Sequence, residues 1–319
     1  LRTLLAAIFG LVPCRSRSTF MDPATDAAAY DLGVDALPAD LLDRARAFLR
    51  GGVEVAAARD AATVVLLRDG RGGAGLEVYL LRRASTMAFA PGQHVFPGGS
   101  VDPRDGDRSP AWAGRSASTW GESLGCDPTM GRALVCAAVR ETFEESGVLL
   151  AGGSADAVVA DTTGATWEAD RQALLDRSVS LAELLDRRGL VLRSDLLRPW
   201  AHWITPEFEP RRFDARFFVA AVPAGQLARD VSGEADLAIW MPVAGAVGGF
   251  ESGAVPMLPP TIVALRELAA YDSVEEVLAA EMTVTTWMPR AVLDGDQVLL
   301  VVDGPDGPTG IESVVRARE

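Results

Sequence analysis

Arg140-Glu141-Thr142-Phe143-Glu144-Glu145-Ser146-Gly147-Val148 carries the densest chemistry in the chain. Glu141, Glu144 and Glu145 stand at i, i+3 and i+4. A helix advances about 100° per residue, so the three carboxylates fall within about 100° of arc on one face. Phe143 points to the other side, in line with Val139 and Val135. The segment reads as a helix with one apolar flank and one dense negative patch. Like charges at this spacing repel by about 0.2–0.5 kcal/mol on a bare helix. A hard divalent cation with oxygen ligands, Mg²⁺ or Mn²⁺, turns that repulsion into coordination. The plainer alternative is a solvated acidic face.

Working outward, Asp127-Pro128 opens this helix with an N-cap and a first-turn proline. Gly147 closes it in the left-handed position. A strand is expected at 148–150. Upstream, residues 94–101 are extended around the turn Pro97-Gly98-Gly99, and 102–126 reads as a polar inserted loop holding Trp112 and Trp120. Residues 61–68 and 76–82 pair as an apolar hairpin about a Gly-rich turn. Downstream come a helical segment over 167–188, strands at 201–204, 212–222 and 235–241, and helices at 261–270 and 273–280. Residues 290–303 read as a closing hairpin turned by Asp294-Gly295. Strands and helices mix without βαβ regularity, which gives an α+β class with a mixed sheet.

The 319 residues allow two domains, or one with large insertions. A net charge of −14 argues against general binding of nucleic acid or an anionic membrane, since that affinity comes from clustered cations. All 30 cations are arginine. Three cysteines without a CxxC pair point to idle thiols in a reducing cytoplasm, and two histidines exclude a multi-histidine metal centre. The apolar run 4–12 is too short to span a bilayer. Residues 1–20 read as an over-extended start before Met21, and 21–57 as a helical extension with its helix at 36–50. The expected main domain is 58–302 with an insert at about 103–126, followed by a tail at 303–319.

Phe96-Pro97-Gly98-Gly99 together with Arg140 to Val148 resembles the signature of the Nudix hydrolases. That signature is a Gly, a five-residue gap, a Glu, a seven-residue gap, then Arg-Glu-x-x-Glu-Glu-x-Gly. Here about 27 extra residues separate Gly99 from Arg140. The Glu expected eight residues before the Arg falls on Arg132, with Glu122 in the loop as a substitute. The resemblance implies an α/β/α sandwich with a mixed sheet, a long insert inside the box and extra C-terminal helices. It implies that Glu141, Glu144 and Glu145 hold Mg²⁺ or Mn²⁺, with the Gly99 carbonyl as a further ligand and one carboxylate activating water. Arg140, Gly98 and Gly147 take structural roles in the motif. The implied reaction is hydrolysis of a nucleoside diphosphate linked to another moiety, a small-molecule substrate.

Further segments narrow the resemblance. Ala90-Pro91-Gly92, the long insert, Trp203-Ile204-Thr205-Pro206, Arg211-Arg212-Phe213, Trp240-Met241-Pro242 and Leu258-Pro259-Pro260 are similar to the long-insert coenzyme A diphosphatases of that family. Coenzyme A or an acyl-coenzyme A is then the expected substrate. The alternatives are an ADP-ribose or NADH pyrophosphatase, or a catalytically silent nucleotide sensor. Glu234, before a strand, is a candidate extra catalytic acid. Arg82, Arg83, Arg211 and Arg212 are candidate phosphate ligands, as planar forks suited to such oxygens. His94 and His202 read as structural, and Trp200 and Trp203 as core.

Overall fold

Two-sided burial along residues 58–69 decides where the middle layer lies. The computed structural model describes residues 39–73, 75–87, 90–231, 233, 235–294, 297–304 and 307–311. A first helix, α1 (Ala39–Leu49), leads to β1 (Ala58–Asp69), β2 (Leu76–Arg83), β3 (His94–Val95) and β4 (Gly98–Ser100). The insert follows as α2 (Pro103–Asp107), β5 (Trp112–Ala113) and α3 (Ala117–Leu124). Then come α4 (Pro128–Ser146), β6 (Ala151–Gly152), α5 (Ala165–Leu175), α6 (Leu181–Arg188) and β7 (Val191–Arg193). After a short 3₁₀ turn the chain forms β8 (Arg198–Ile204), β9 (Arg212–Ala221), β10 (Ala235–Pro242), α7 (Val243–Glu251), α8 (Pro259–Leu268) and α9 (Val274–Ala279). It ends in β11 (Thr286–Trp287), β12 (Pro289–Asp294), β13 (Gln297–Gly304) and β14 (Gly307–Ile311).

The main sheet runs β10-β2-β1-β9-β8-β11, with β3 on β2 and β4 on β1. On β1, Ala62, Val64 and Leu66 face a core built with α3 and α4. Val65 and Leu67 face a second core built with α7, α8 and α9. Alternate residues of one strand therefore need cover on both sides, and the α/β/α sandwich follows. The expected mixed sheet is present: β1 and β9 pair in parallel, while β1 and β2 are antiparallel.

One feature of this sheet makes the site. β1 and β2 stay paired only from Leu67↔Val78 to Asp69↔Leu76. They then part, β3 taking β2 at Arg82↔His94 and β4 taking β1 at Ala62↔Gly99. The segment carrying Gly98 and Gly99 thus wedges into the fork between the two strands.

Several expectations are corrected. The insert is packed, with Trp120 fully buried and edge-on to Phe218 at 5.8 Å. The strand expected at 148–150 lies instead at β6, because the Leu149 N–H and carbonyl bond the Gln226 side chain at 2.8 and 2.9 Å. The helical segment 167–188 is two helices, parted where Arg177 takes φ 57°. Further on, β14 pairs with β13. The closing hairpin is formed by β12 and β13, and its turn residue Gly295 lies outside the described residues, as do residues 1–38. Among the described residues no helix is long and apolar enough to cross a membrane.

Candidate active site

The central helix α4 forms where its ends are satisfied. Asp127 Oδ1 accepts from the Thr129 and Met130 N–H groups at 2.8 and 3.1 Å, with Pro128 in the first turn. At the other end Gly147 takes φ 73°, and its N–H bonds the Phe143 carbonyl. The Arg229 guanidinium lies across this end, 2.8 Å from where a Cβ on Gly147 would stand. A cation there also suits the helix dipole.

Leu134, Val135, Ala138, Val139 and Phe143 bury one side of α4 in the core. The opposite side presents Glu141 and Glu145 to the glycine turn. Glu145 Oε2 accepts from the Gly98 N–H at 2.8 Å. The Glu141 carboxylate lies so close to Gly99 that an added Cβ would meet Oε1 at 2.4 Å. Gly98 is equally constrained, since its Cβ would stand 2.5 Å from the Ala62 carbonyl oxygen. Both glycines are required by close approach.

Arg140 ties the centre together from behind. Its Nε and Nη2 donate to Asp105 at 3.0 and 2.9 Å, and Nη2 also reaches the Ser100 carbonyl at 2.9 Å. Nη1 donates to Glu141 at 2.7 Å and to Glu144 at 3.3 Å. Burial opposes the guanidinium charge, but the bond to Asp105 and the surrounding carboxylates outweigh it and raise the Arg140 pKa. Glu144 is turned toward this arginine and is buried. Burial, reinforced by the Glu141 charge, pushes its carboxyl up to about 7 against the pull of Arg140.

Asp105 was missed by counting back from Arg140, which lands on Arg132. The Arg132 side chain instead donates to the Gly106 carbonyl at 2.8 Å. Counting forward from Gly99 across five residues lands on Asp105. It sits in a capping box, its carboxylate accepting from the Asp102 N–H at 2.9 Å. The inserted chain therefore follows the first acid of the signature and lies in its second gap.

Other candidates are placed elsewhere. Arg212 is buried and donates to the Thr205 and Ala56 carbonyls at 3.0 and 2.8 Å. These bonds tie the strand to two loops. Arg211 is exposed beside it. Arg82 pairs with Asp236 at 2.6 Å, and the Arg83 N–H bonds the Gln93 carbonyl. Glu234 lies outside the described residues. His94 is buried, with Nδ1 3.3 Å from the Pro256 carbonyl, and burial lowers its pKa. His202 Nε2 meets Asp214 at 2.5 Å, and its Nδ1 meets the Thr286 hydroxyl at 2.8 Å. Trp200 and Trp203 are core.

Among the described residues no three Asp, Glu, His or Cys side chains converge as a preformed metal cage. The donor chemistry nevertheless suits a hard cation. Asp105, Glu141 and Glu144 contact the single guanidinium of Arg140, and Glu145 lies against the Gly98 N–H, leaving negative charge in excess.

The chain is similar to a crystallised NUDIX hydrolase from Alicyclobacillus acidocaldarius, with 30% identity and a TM-score of 0.58 over 72% of this chain and 99% of that one. The chain belongs to the Nudix hydrolases. The profile of the NUDT19 Nudix domain matches residues 128–268 of this Nudix hydrolase. Curated relatives include the acyl-coenzyme A diphosphatase NUDT19 of Xenopus laevis, 25% identical over 72% of this chain and 70% of that protein. The human protein of the same name is 27% identical over 73% of this chain and 72% of its own length. As a Nudix hydrolase the chain is a pyrophosphohydrolase, and members of this family generally use divalent metal ions.

Proposed function

We propose that this enzyme hydrolyses the diphosphate of coenzyme A or acyl-coenzyme A with the help of Mg²⁺ or Mn²⁺. The observation that carries the reading is the pair Glu141 and Glu145 set against the backbone of Gly99 and Gly98. The named activity of the NUDT19 relatives supports the substrate. Glu141 and Glu145 would hold the cation, with the Gly99 carbonyl and Glu144 as further oxygen donors. A divalent cation supplies charge for the non-bridging diphosphate oxygens and acidifies water. The Gly98 N–H orients the Glu145 carboxylate, and Arg140 fixes Glu141 and Glu144 through one nitrogen. The two glycines let the backbone approach these acids closely, since a side chain at Gly99 would collide with the Glu141 carboxylate.

The absent upstream acid was the feature in favour of a silent sensor, and Asp105 removes it. The free thiols Cys126 and Cys136 support a reducing cytoplasmic setting. The test is a substrate panel with Mg²⁺ or Mn²⁺, its products identified by mass. Coenzyme A should yield adenosine 3′,5′-bisphosphate and phosphopantetheine, and EDTA should abolish turnover. Turnover of ADP-ribose or NADH without coenzyme A cleavage would reject the substrate, and full turnover after metal stripping would reject the metal.

A further inference from the structure

Immediately after Gly99, Ser100 enters the lining of a cavity of about 390 Å³, within the range that holds small ligands. Val101, Pro103 and Met130 give it an apolar surface. Its charged members are Arg59, Asp60, Asp102 and Arg177. Both acids are already matched. Arg104 grips Asp102 through Nε and Nη2, each at 3.0 Å, and with the backbone contacts holds its carboxyl at about 2. Asp60 faces Arg216 at 3.4 Å, and Arg216 also pairs with Asp214.

The two remaining arginines are not matched in the same way. Arg59 is exposed and makes no side-chain hydrogen bond or ion pair among the described residues. Arg177 reaches only the already occupied Asp102, at 3.5 Å, and its side chain is 75% exposed. Its backbone stands at φ 57°, where glycine would be unstrained. That conformation is clamped, because the Arg177 carbonyl accepts from Arg104 Nη1 at 2.7 Å. In a chain of net charge −14, this leaves Arg59 without a partner among the described residues and Arg177 only loosely paired, on a partly apolar cavity that includes Ser100, the residue after Gly99.

We propose that this cavity receives the nucleoside half of the substrate, with Arg59 and Arg177 binding a phosphate monoester on its ribose. The inference rests on the coenzyme A reading, since such a nucleotide carries a phosphate in addition to the diphosphate. The apolar lining takes the base, and the planar forks take the phosphate oxygens.

The experiment compares coenzyme A with 3′-dephospho-coenzyme A in wild type, Arg59→Ala, Arg177→Gly and the double variant. Each single change should raise KM for coenzyme A about tenfold, as the loss of a charge-assisted contact does, with kcat and the dephospho substrate unaffected. Arg177→Gly should melt no lower than wild type, because glycine accepts the left-handed backbone. Equal effects on both substrates, or none, would overturn the proposal. Calorimetry on the full chain adds a readout independent of turnover. Wild type should bind adenosine 3′,5′-bisphosphate more tightly than AMP, and the double variant should lose that preference. Failure of wild type to cleave either substrate rejects the coenzyme A function, while absence of the bisphosphate preference rejects the cavity assignment.

Discussion

Arg140 and Arg212 are both buried and both rich in hydrogen bonds, yet their surroundings differ in kind. Arg212 donates to the carbonyls of Thr205 and Ala56, which are neutral. Its charge is dispersed on backbone, and the result is a tie between the start of β9 and two loops. Arg140 donates to Asp105, Glu141 and Glu144, with Glu145 held close by on Gly98. One cation cannot balance four acids, so the Arg140 centre keeps negative charge in excess, as the proposed metal requires. Burial and hydrogen bonding alone do not distinguish these two arginines; the charge of their acceptors does.

The harshest way to break this contrast is Arg140→Ala. It leaves the buried Asp105 and Glu144 without their cation, and removing one partner of a buried pair costs about 3–5 kcal/mol. Chemical denaturation should show a loss of that order. A change near zero would mean that water reaches these acids. Next, Glu145→Gln should lower kcat by at least about 10²-fold while the melting temperature barely moves. Near-normal turnover at saturating metal would return the acidic face to solvent.

Arg212→Ala should be milder and of the opposite character. It orphans two carbonyls and should cost about 2 kcal/mol of stability, with KM for coenzyme A unchanged. A rise in KM would put Arg212 back on the substrate. The smallest effect sharpens the comparison with a third buried charge. Glu267 on α8 has a carboxyl oxygen with no hydrogen-bond partner among the described residues, and burial pushes the group up to about 7. The folded chain then binds a proton that the unfolded chain has released, so stability falls as pH rises from about 4.5 to about 7. Glu267→Gln should stabilise the protein at pH 8 by an amount on the order of 1 kcal/mol and give no gain at pH 4. Equal effects at both pH values would show that the carboxyl titrates normally.

Contiguity explains how much could be read in advance. The caps of α4, the one-sided acids and the glycine turn are each spelled within a few neighbouring residues, where helix period and backbone sterics act directly. The pairing of β1 with β2 was legible for the same reason, because a Gly-rich turn joins two apolar runs. Strand 148–150 was misplaced because its hydrogen bonds go to Gln226, a partner far along the chain.

The first acid of the Nudix box shows the same division more sharply. In the sequence, the count back from Arg140 points to Arg132, with Glu122 as the substitute, and passes over Asp105. Only the packing of α2 against α4 brings Asp105 to Arg140 and leaves Arg132 on the Gly106 carbonyl. The roles of the arginines were likewise undecided along the chain. A guanidinium looks the same at positions 59, 177 and 212 until the fold supplies its acceptors, and those come from segments remote in sequence. Local chemistry made this chain's helix and its acids; the distribution of distant carboxylates and carbonyls settled which charges are neutralised and which are left for a ligand.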